Sequence, residues 1–312
     1  MTDTRDSRYP IPEGLNIAIF VAMHLSIWGL LWLASHSSLG WMLLAAWLFS
    51  LVNNNSFSLM HEAVHGTFSR NRFRNELFGT LCAPTFPTSF TLQRIAHLGH
   101  HRRNRTDQDL YDYYLPHQSR AHRNFQLYSG NLLGFYWLCI PLSNLIYLVA
   151  PWVYTSRRFI EGPAKRFGFE AHIREVAEYS GSKIWFECLL AVVYQVLMWW
   201  LLDLSWQGWL LCYWAFAMHW SALQYVIHAF TERDIVEGAW NLKVSRLADA
   251  LTLNYHNHLA HHRHPQLPWL YLPKFVEPDD RRPSAWRIYF RLWRGGTQPA
   301  PPMGGPATLP PP

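Results

Sequence analysis

Charge is scarce in this chain: Asp, Glu, Lys and Arg together make up 15% of its 312 residues, against about a quarter in an ordinary soluble domain. Cysteine is scarcer still. Cys82, Cys139, Cys188 and Cys212 stand apart in apolar surroundings and no CxxC occurs, which argues against a disulfide framework or a zinc ribbon and for buried reduced thiols. The opening MTDTRDSRYP is polar and mixed in charge, so no cleavable signal is expected there. What is abundant is apolar and aromatic: 50% of residues are hydrophobic and 16% are Phe, Trp or Tyr. A mean hydropathy of -0.09 arises because strongly polar and strongly apolar stretches cancel.

The apolar residues fall in long runs. Residues 16–35 and 41–60 are each about one bilayer thickness of helix, joined by the short SHSSLG turn. Residues 183–202 and 209–227 form a second such hairpin around DLSWQG. All 27 Lys and Arg lie in the N-terminal tail, 61–129, 155–183 or 228–294, and neither hairpin turn contains one. By the positive-inside rule the turns face away from the cytoplasm, while both termini and the polar regions face it. A fifth apolar segment, 130–154, cannot cross once without inverting everything after it. It reads as re-entrant or interfacial, broken at Pro141 and Pro151. The expectation is an all-α membrane protein with four spans in two transmembrane hairpins, one domain over 1–295 and a disordered Pro/Gly-rich tail over 296–312. Two further stretches look interfacial: 77–92, and the aromatic face of Trp286, Tyr289, Phe290 and Trp293 with Arg287, Arg291 and Arg294 along its edge. The second pattern equally suits a helix packed on the cytosolic side.

Histidine carries the chemistry. HEAVH places His61 and His65 one helical turn apart just past the second run; HLGHH places His97, His100 and His101 on one face. HLAHH repeats that spacing at His258, His261 and His262, and His228 ends the fourth run one turn after Gln224. These nine imidazoles exceed the four ligands of a structural zinc or the three of a catalytic one. They suit two metal ions, each HxxHH supplying half of a dinuclear cage; imidazole alone does not choose among Zn, Cu, Fe and Ni. His24, His36, His117, His122, His172 and His219 read as isolated hydrogen-bonded side chains. His256 breaks the one-face geometry and His264 precedes a proline, so both stay outside the set.

HEAVHGT, HLGHHRRNRTDQD and HNHLAHHRHPQLPWLYLP resemble the three histidine boxes of integral-membrane fatty acid desaturases and their hydroxylase relatives, over about residues 16 to 275. The resemblance implies two helical hairpins capped by a cytosolic helical domain that holds two Fe(II) ions. It implies His61, His65, His97, His100, His101, His228, His258, His261 and His262 as ligands, and a water-mediated contact from Gln224. It also implies O2-dependent attack on an unactivated C–H bond of a lipid or fatty-acyl substrate. Glu62, Asp107, Asp109, Glu232 and Asp234 are candidates to accept imidazole N–H groups. Arg102, Arg103 and Arg105 suit an anionic headgroup, an acidic electron donor or interfacial anchoring. No cytochrome b5-like HPGG, ferredoxin cysteine spacing or Gly-rich nucleotide loop is present, so electrons are expected from a separate ferredoxin- or cytochrome b5-like protein. No nucleic-acid partner is expected. A desaturase leads; a hydroxylase, a ketolase or an oxidative decarboxylase shares the pattern. A zinc-dependent membrane hydrolase or receptor would need only three of the histidines, and a metal transporter would place its ligands nearer the bilayer midplane.

Overall fold

In the computed structural model the described residues are 8–110, 112–115, 118–179 and 181–296. His117 and the segment 297–312 lie outside them, and so does nearly all of the expected tail. The described residues are mostly helical and contain isolated bridges instead of strands. The four longest helices are α1 (Glu13–His36) and α2 (Leu39–His65), with α8 (Gly181–Leu201) and α9 (Trp206–Val226) later in the chain. Between them, α3 (Arg72–Cys82), α4 (Phe90–Arg103), α5 (Arg120–Gln126), α6 (Phe135–Val149) and α7 (Glu170–Ala177) fold against one end of the bundle. After α9 come the short α10 (His258–Arg263) and α11 (Ala285–Leu292).

Both hairpin turns lie at the same end. His36 Nε2 donates to the Leu202 carbonyl at 3.0 Å. A Cβ at Gly208 would fall 2.6 Å from the Ala34 carbonyl oxygen, so only glycine admits this approach of α9 to α1. The histidine-bearing ends are therefore at the other end. At about 1.5 Å per residue, α2 is some 40 Å long, longer than the roughly 30 Å of a hydrocarbon core. Its last turns project beyond that thickness, carrying His61 and His65, before Gly66 closes the helix in the left-handed conformation.

Two helices, α1 and α8, are long and apolar enough to cross a membrane by length and composition. α2 and α9 fall short because they bury polar groups in the bundle interior. Asn53 donates to the Thr85 carbonyl, Ser56 pairs with the Thr85 hydroxyl, and Asn54 bonds His219. The isolated reading of His219 as a side chain held by a partner matches this contact. The outer surface is the reverse: Leu25, Trp47, Phe186, Val196 and Trp200 are exposed. An apolar exterior over a partly polar interior suits lipid as solvent.

The segment 130–154 bends sharply ahead of its prolines, and its helix then ends at Val149, just before Pro151. Residues Arg120–Leu132 and Phe135–Val149 meet at 79°, and the corner is Gly134, at φ +86°. Pro141 lies inside α6 and Pro151 only opens the following turn. Glycine makes the corner because the left-handed conformation carries no penalty there and because α9 passes close by. A Cβ at Gly134 would sit 2.7 Å from the Met218 nitrogen. α11 buries Ile288 and Leu292 and leaves Trp286, Phe290 and Trp293 exposed, so most of its aromatic face is turned outward.

Gly134→Val is expected to destabilise the protein by about 2 kcal/mol or more, from backbone strain combined with the clash on α9. Thermal unfolding in detergent checks this; an unchanged midpoint would show that the corner relaxes freely.

Candidate metal centre

Three local devices deliver the histidines. The over-long α2 presents His61 and His65. α4 is started by Ser89, whose hydroxyl accepts from Leu92 N and donates to the buried Glu187 carboxylate, fixing the helix that carries His97, His100 and His101. The chain leaving α9 turns back through Trp240, whose N–H donates to Ile227 while its carbonyl accepts from His258 N and Leu259 N. That double use of one residue sets His228 beside α10.

The nine imidazoles, and none of the other histidines among the described residues, form two groups: His61, His65, His97, His101 and His261, then His100, His228, His258 and His262. Within each group the nearest ring nitrogens lie within 4.8 Å of one another. The groups adjoin, with the His101 and His262 rings stacked at 4.4 Å. Each HxxHH is thus not half of the cage, as the spacing suggested. His97 and His101 serve one group while His100 serves the other, and His258 and His262 serve one while His261 crosses over. At about 100° per residue, i and i+4 lie about 40° apart and i+3 falls about 60° to the other side. One helix therefore addresses two points.

The protonation pattern fits cations at both points. His228 Nδ1 donates to the Gly238 carbonyl at 2.8 Å, and His100 Nδ1 donates to Asp109 Oδ2 at 2.5 Å. With those protons committed, the two Nε2 atoms carry lone pairs, yet they face each other at 3.0 Å. In the larger group His97 Nε2 lies 2.8 Å from His65 Nε2 and 3.0 Å from His101 Nε2. His61 Nε2, His258 Nδ1 and His262 Nε2 are buried without a hydrogen-bond partner. His61 belongs to the larger group and His258 and His262 to the smaller, and a metal ion in each group would satisfy such orphaned nitrogens. Burial, reinforced by neighbouring imidazoles, holds His61, His65, His97, His101, His258, His261 and His262 well below the ordinary histidine pKa, and burial does the same at His228. The neutral form so favoured is the form that binds metals.

The candidate carboxylates separate. Asp109 touches a cage histidine directly. Glu62 Oε1 is 3.9 Å from His61 Nδ1, and Oε2 accepts from Thr67 Oγ1 and Trp269 N. Its burial raises its pKa to about 7. Asp107 pairs with Arg233 instead, Asp234 caps the turn at Val236 and Glu237, and Glu232 is exposed. Gln224 Oε1 accepts from the Tyr255 hydroxyl at 2.9 Å, leaving its Nε2 buried and unpartnered. Arg102 and Arg103 both bind Glu175. Arg105 is fully buried on Asp112, with its guanidinium also donating to the Thr231 carbonyl, so it is structural and cannot meet a headgroup or donor. Tyr255 was not foreseen: its ring lies against both His61 and His258, at 5.2 and 4.9 Å. Nothing in its spacing marks it, because it reaches the cage from a turn.

Histidines gathered into two adjoining groups at one end of an apolar helical bundle make up a candidate site for metal ions. A model of the fatty acid desaturase family matches residues 39–293, and the chain belongs to that family. No curated protein matches it.

Stability of the metal-free protein should fall with acidity. The lowered histidines have folded-state pKa values below their unfolded value of 6.5, so the unfolded chain binds more protons below that pH. The stability they contribute is whole above pH 6.5 and declines beneath it. Chelator-treated protein melted at about pH 7.5 and about pH 5.5 should unfold earlier in acid; equal midpoints would contradict the buried neutral cage.

Proposed function

We propose that this protein is an O2-dependent membrane desaturase with two irons, introducing a C=C bond into a fatty-acyl lipid with electrons from a separate carrier protein. The observation that supports it most is the division of the nine imidazoles into groups of five and four in a chain of the desaturase family. Imidazole sets of this size leave room at each ion for water or a bridging group, as an open catalytic site requires. His61, His65, His97, His101 and His261 would hold one ion; His100, His228, His258 and His262 would hold the other. When bound, the irons would supply the reduction of O2 and the oxidising power to remove hydrogen from an unactivated carbon.

The chain's own groups do the rest. Asp109 and the Gly238 carbonyl fix the tautomers of His100 and His228, keeping both Nε2 lone pairs inward. Glu62 takes the Trp269 N–H, and Trp269 Nε1 donates to Asn16 at 2.9 Å, which ties the third histidine box to α1. Leu253, Tyr255, Trp269 and Leu272 wall the side of His61 and His258 and keep water from that face. Gln224, held by Tyr255, would in this reading reach the cage through a water from its unpartnered Nε2.

In this reading α1, α2, α8 and α9 all cross the bilayer, the bent segment around Gly134 re-enters from the cytoplasmic side against α9 without crossing, and the cage and both termini face the cytoplasm. Residues 1–295 act as one unit, with 296–312 a tail.

Metal analysis of detergent-purified protein should give two irons per chain, with loss in His101→Ala. One zinc, kept in that variant, would replace the reading with a hydrolase or receptor. His61→Ala, His101→Ala and His262→Ala should each reduce turnover by about a thousandfold or more while inserting normally. Product analysis should show an alkene without added oxygen; an alcohol or ketone would reassign the reaction within the family.

A further inference from the structure

Five guanidinium groups surround one concavity. A cleft of about 950 Å³ opens between α11 and residues 281–283, lined by Arg281, Arg282, Arg287, Arg291 and Arg294 over Phe230 and Trp240. All five arginines are exposed, and among the described residues no carboxylate lines the cleft. The acids just upstream are turned elsewhere: Asp280 accepts from Arg263, and Glu277 lies 3.6 Å from the same guanidinium. Arg291 stacks over the Phe230 ring at 3.9 Å. The packing that holds α11 in place, through Ile288 and Leu292, does not require any of these charges. Arg282 is also near enough to Asp249 to favour its charged form, but the cleft as a whole concentrates positive charge, which is costly in a folded chain and complementary to an anionic partner.

The position of the cleft narrows the kind of partner. Trp240, its floor, is the residue whose backbone joins Ile227 to His258 and Leu259, and its indole donates to the Ala229 carbonyl at 2.7 Å. Arg282, on its wall, reaches the side chain of Asn257, immediately before His258, at 3.5 Å. The concavity thus lies one residue away from both His228 and His258. A lipid headgroup would have no use for that connection. A protein delivering electrons would. Arg and Trp beside exposed Trp286, Phe290 and Trp293 also match the composition of protein docking sites.

We propose that the cleft between α11 and residues 281–283 is the docking surface for an acidic one-electron carrier protein, with Trp240 as the contact nearest the histidine cage. This rests on the reading of the chain as an oxidase that draws electrons from outside. At each encounter the carrier would be oxidised by one electron, passed to the metal ions the histidines would hold, while the arginines hold the carrier's carboxylates and exchange no proton.

The test uses the metal-loaded full chain in phosphatidylcholine nanodiscs, with an acidic [2Fe–2S] ferredoxin and the soluble haem domain of a cytochrome b5 as probes. Binding is read by surface plasmon resonance at several salt concentrations. Arg281→Glu/Arg287→Glu/Arg294→Glu should weaken at least one probe about tenfold or more and flatten its salt dependence. A charge-matched control, Arg158→Glu/Lys165→Glu/Arg166→Glu, should change binding less than about twofold. Thermal melts matching the wild type confirm that both variants are folded, and Arg287→Ala alone, expected to weaken binding less, serves if the triple variant is not. Wild-type affinity in the cleft variant, equal loss in the control, or no binding of either probe by the wild type would overturn the proposal. So would loss of adhesion to phosphatidylglycerol vesicles with carrier binding intact, which would assign the cleft to lipid headgroups. Product formation driven by a chemical reductant, which needs no docking, reports on the oxidase reading separately.

Discussion

Nine imidazoles brought together crowd their lone pairs, eight of them held toward the neutral form by burial, and this convergence is what the surrounding structure has to hold. The His100 and His228 nitrogens, both with their protons committed elsewhere, face each other at 3.0 Å. Such contacts persist only where the backbone over-determines them or a cation compensates them. The scaffold meets the first condition at several points. The buried pair of Arg105 and Asp112 spans the gap between α4 and the segment after α9, with the Arg105 guanidinium donating to Thr231 and Asp112 accepting from Phe230 N. Trp240 and the Gly238 carbonyl then position His228 relative to His258. The scaffold is built around the convergence of these histidines.

The same constraint explains the uneven polarity of the long helices. α1 and α8 keep an apolar character along their length, whereas α2 and α9 carry Asn53, Asn54, Ser56, His219 and Gln224 toward the interior. Those two helices end at His65 and just before His228, so they both support the bundle and aim the cage. Polar contacts between them set their relative rotation, which apolar packing alone would leave loose. The exterior is left to apolar side chains and tryptophans, as expected of a surface facing lipid. Lys and Arg are absent from both hairpin turns; charge elsewhere serves ion pairs such as Arg94 with Glu76, and the arginine-lined cleft.

Much of this was legible from the chain itself. Apolar runs of bilayer length, the absence of Lys and Arg from both hairpin turns, and three histidine boxes are local features, written in consecutive residues. They are enough to indicate four long helices, to select nine histidines out of 17, and to exclude His256, which instead bonds Thr252. Helical periodicity did that work, since residues three and four apart must share a face. The corner in the fifth apolar segment was misplaced at its prolines because the constraint that makes Gly134 necessary comes from Met218 on another helix, and no local pattern records it.

What only the tertiary structure decided is how separate segments meet. Spacing implied that each HxxHH works as a unit; the fold splits both, because α4 and α10 approach the cage from different directions and each presents its i+3 histidine to the far group. Of five candidate carboxylates it set Asp109 against His100, brought Glu62 near His61, and gave Asp107 to Arg233. It buried Arg105 while leaving Arg281, Arg287 and Arg294 facing a cleft, although all are arginines in polar stretches of similar composition. It also brought Tyr255 to the cage from a turn. Sequence determines what a residue can do and which face of its own element it occupies. Which partner it meets depends on contacts between residues far apart in the chain, 160 positions for His101 and His261 and 253 for Asn16 and Trp269, and those are fixed only when the helices pack.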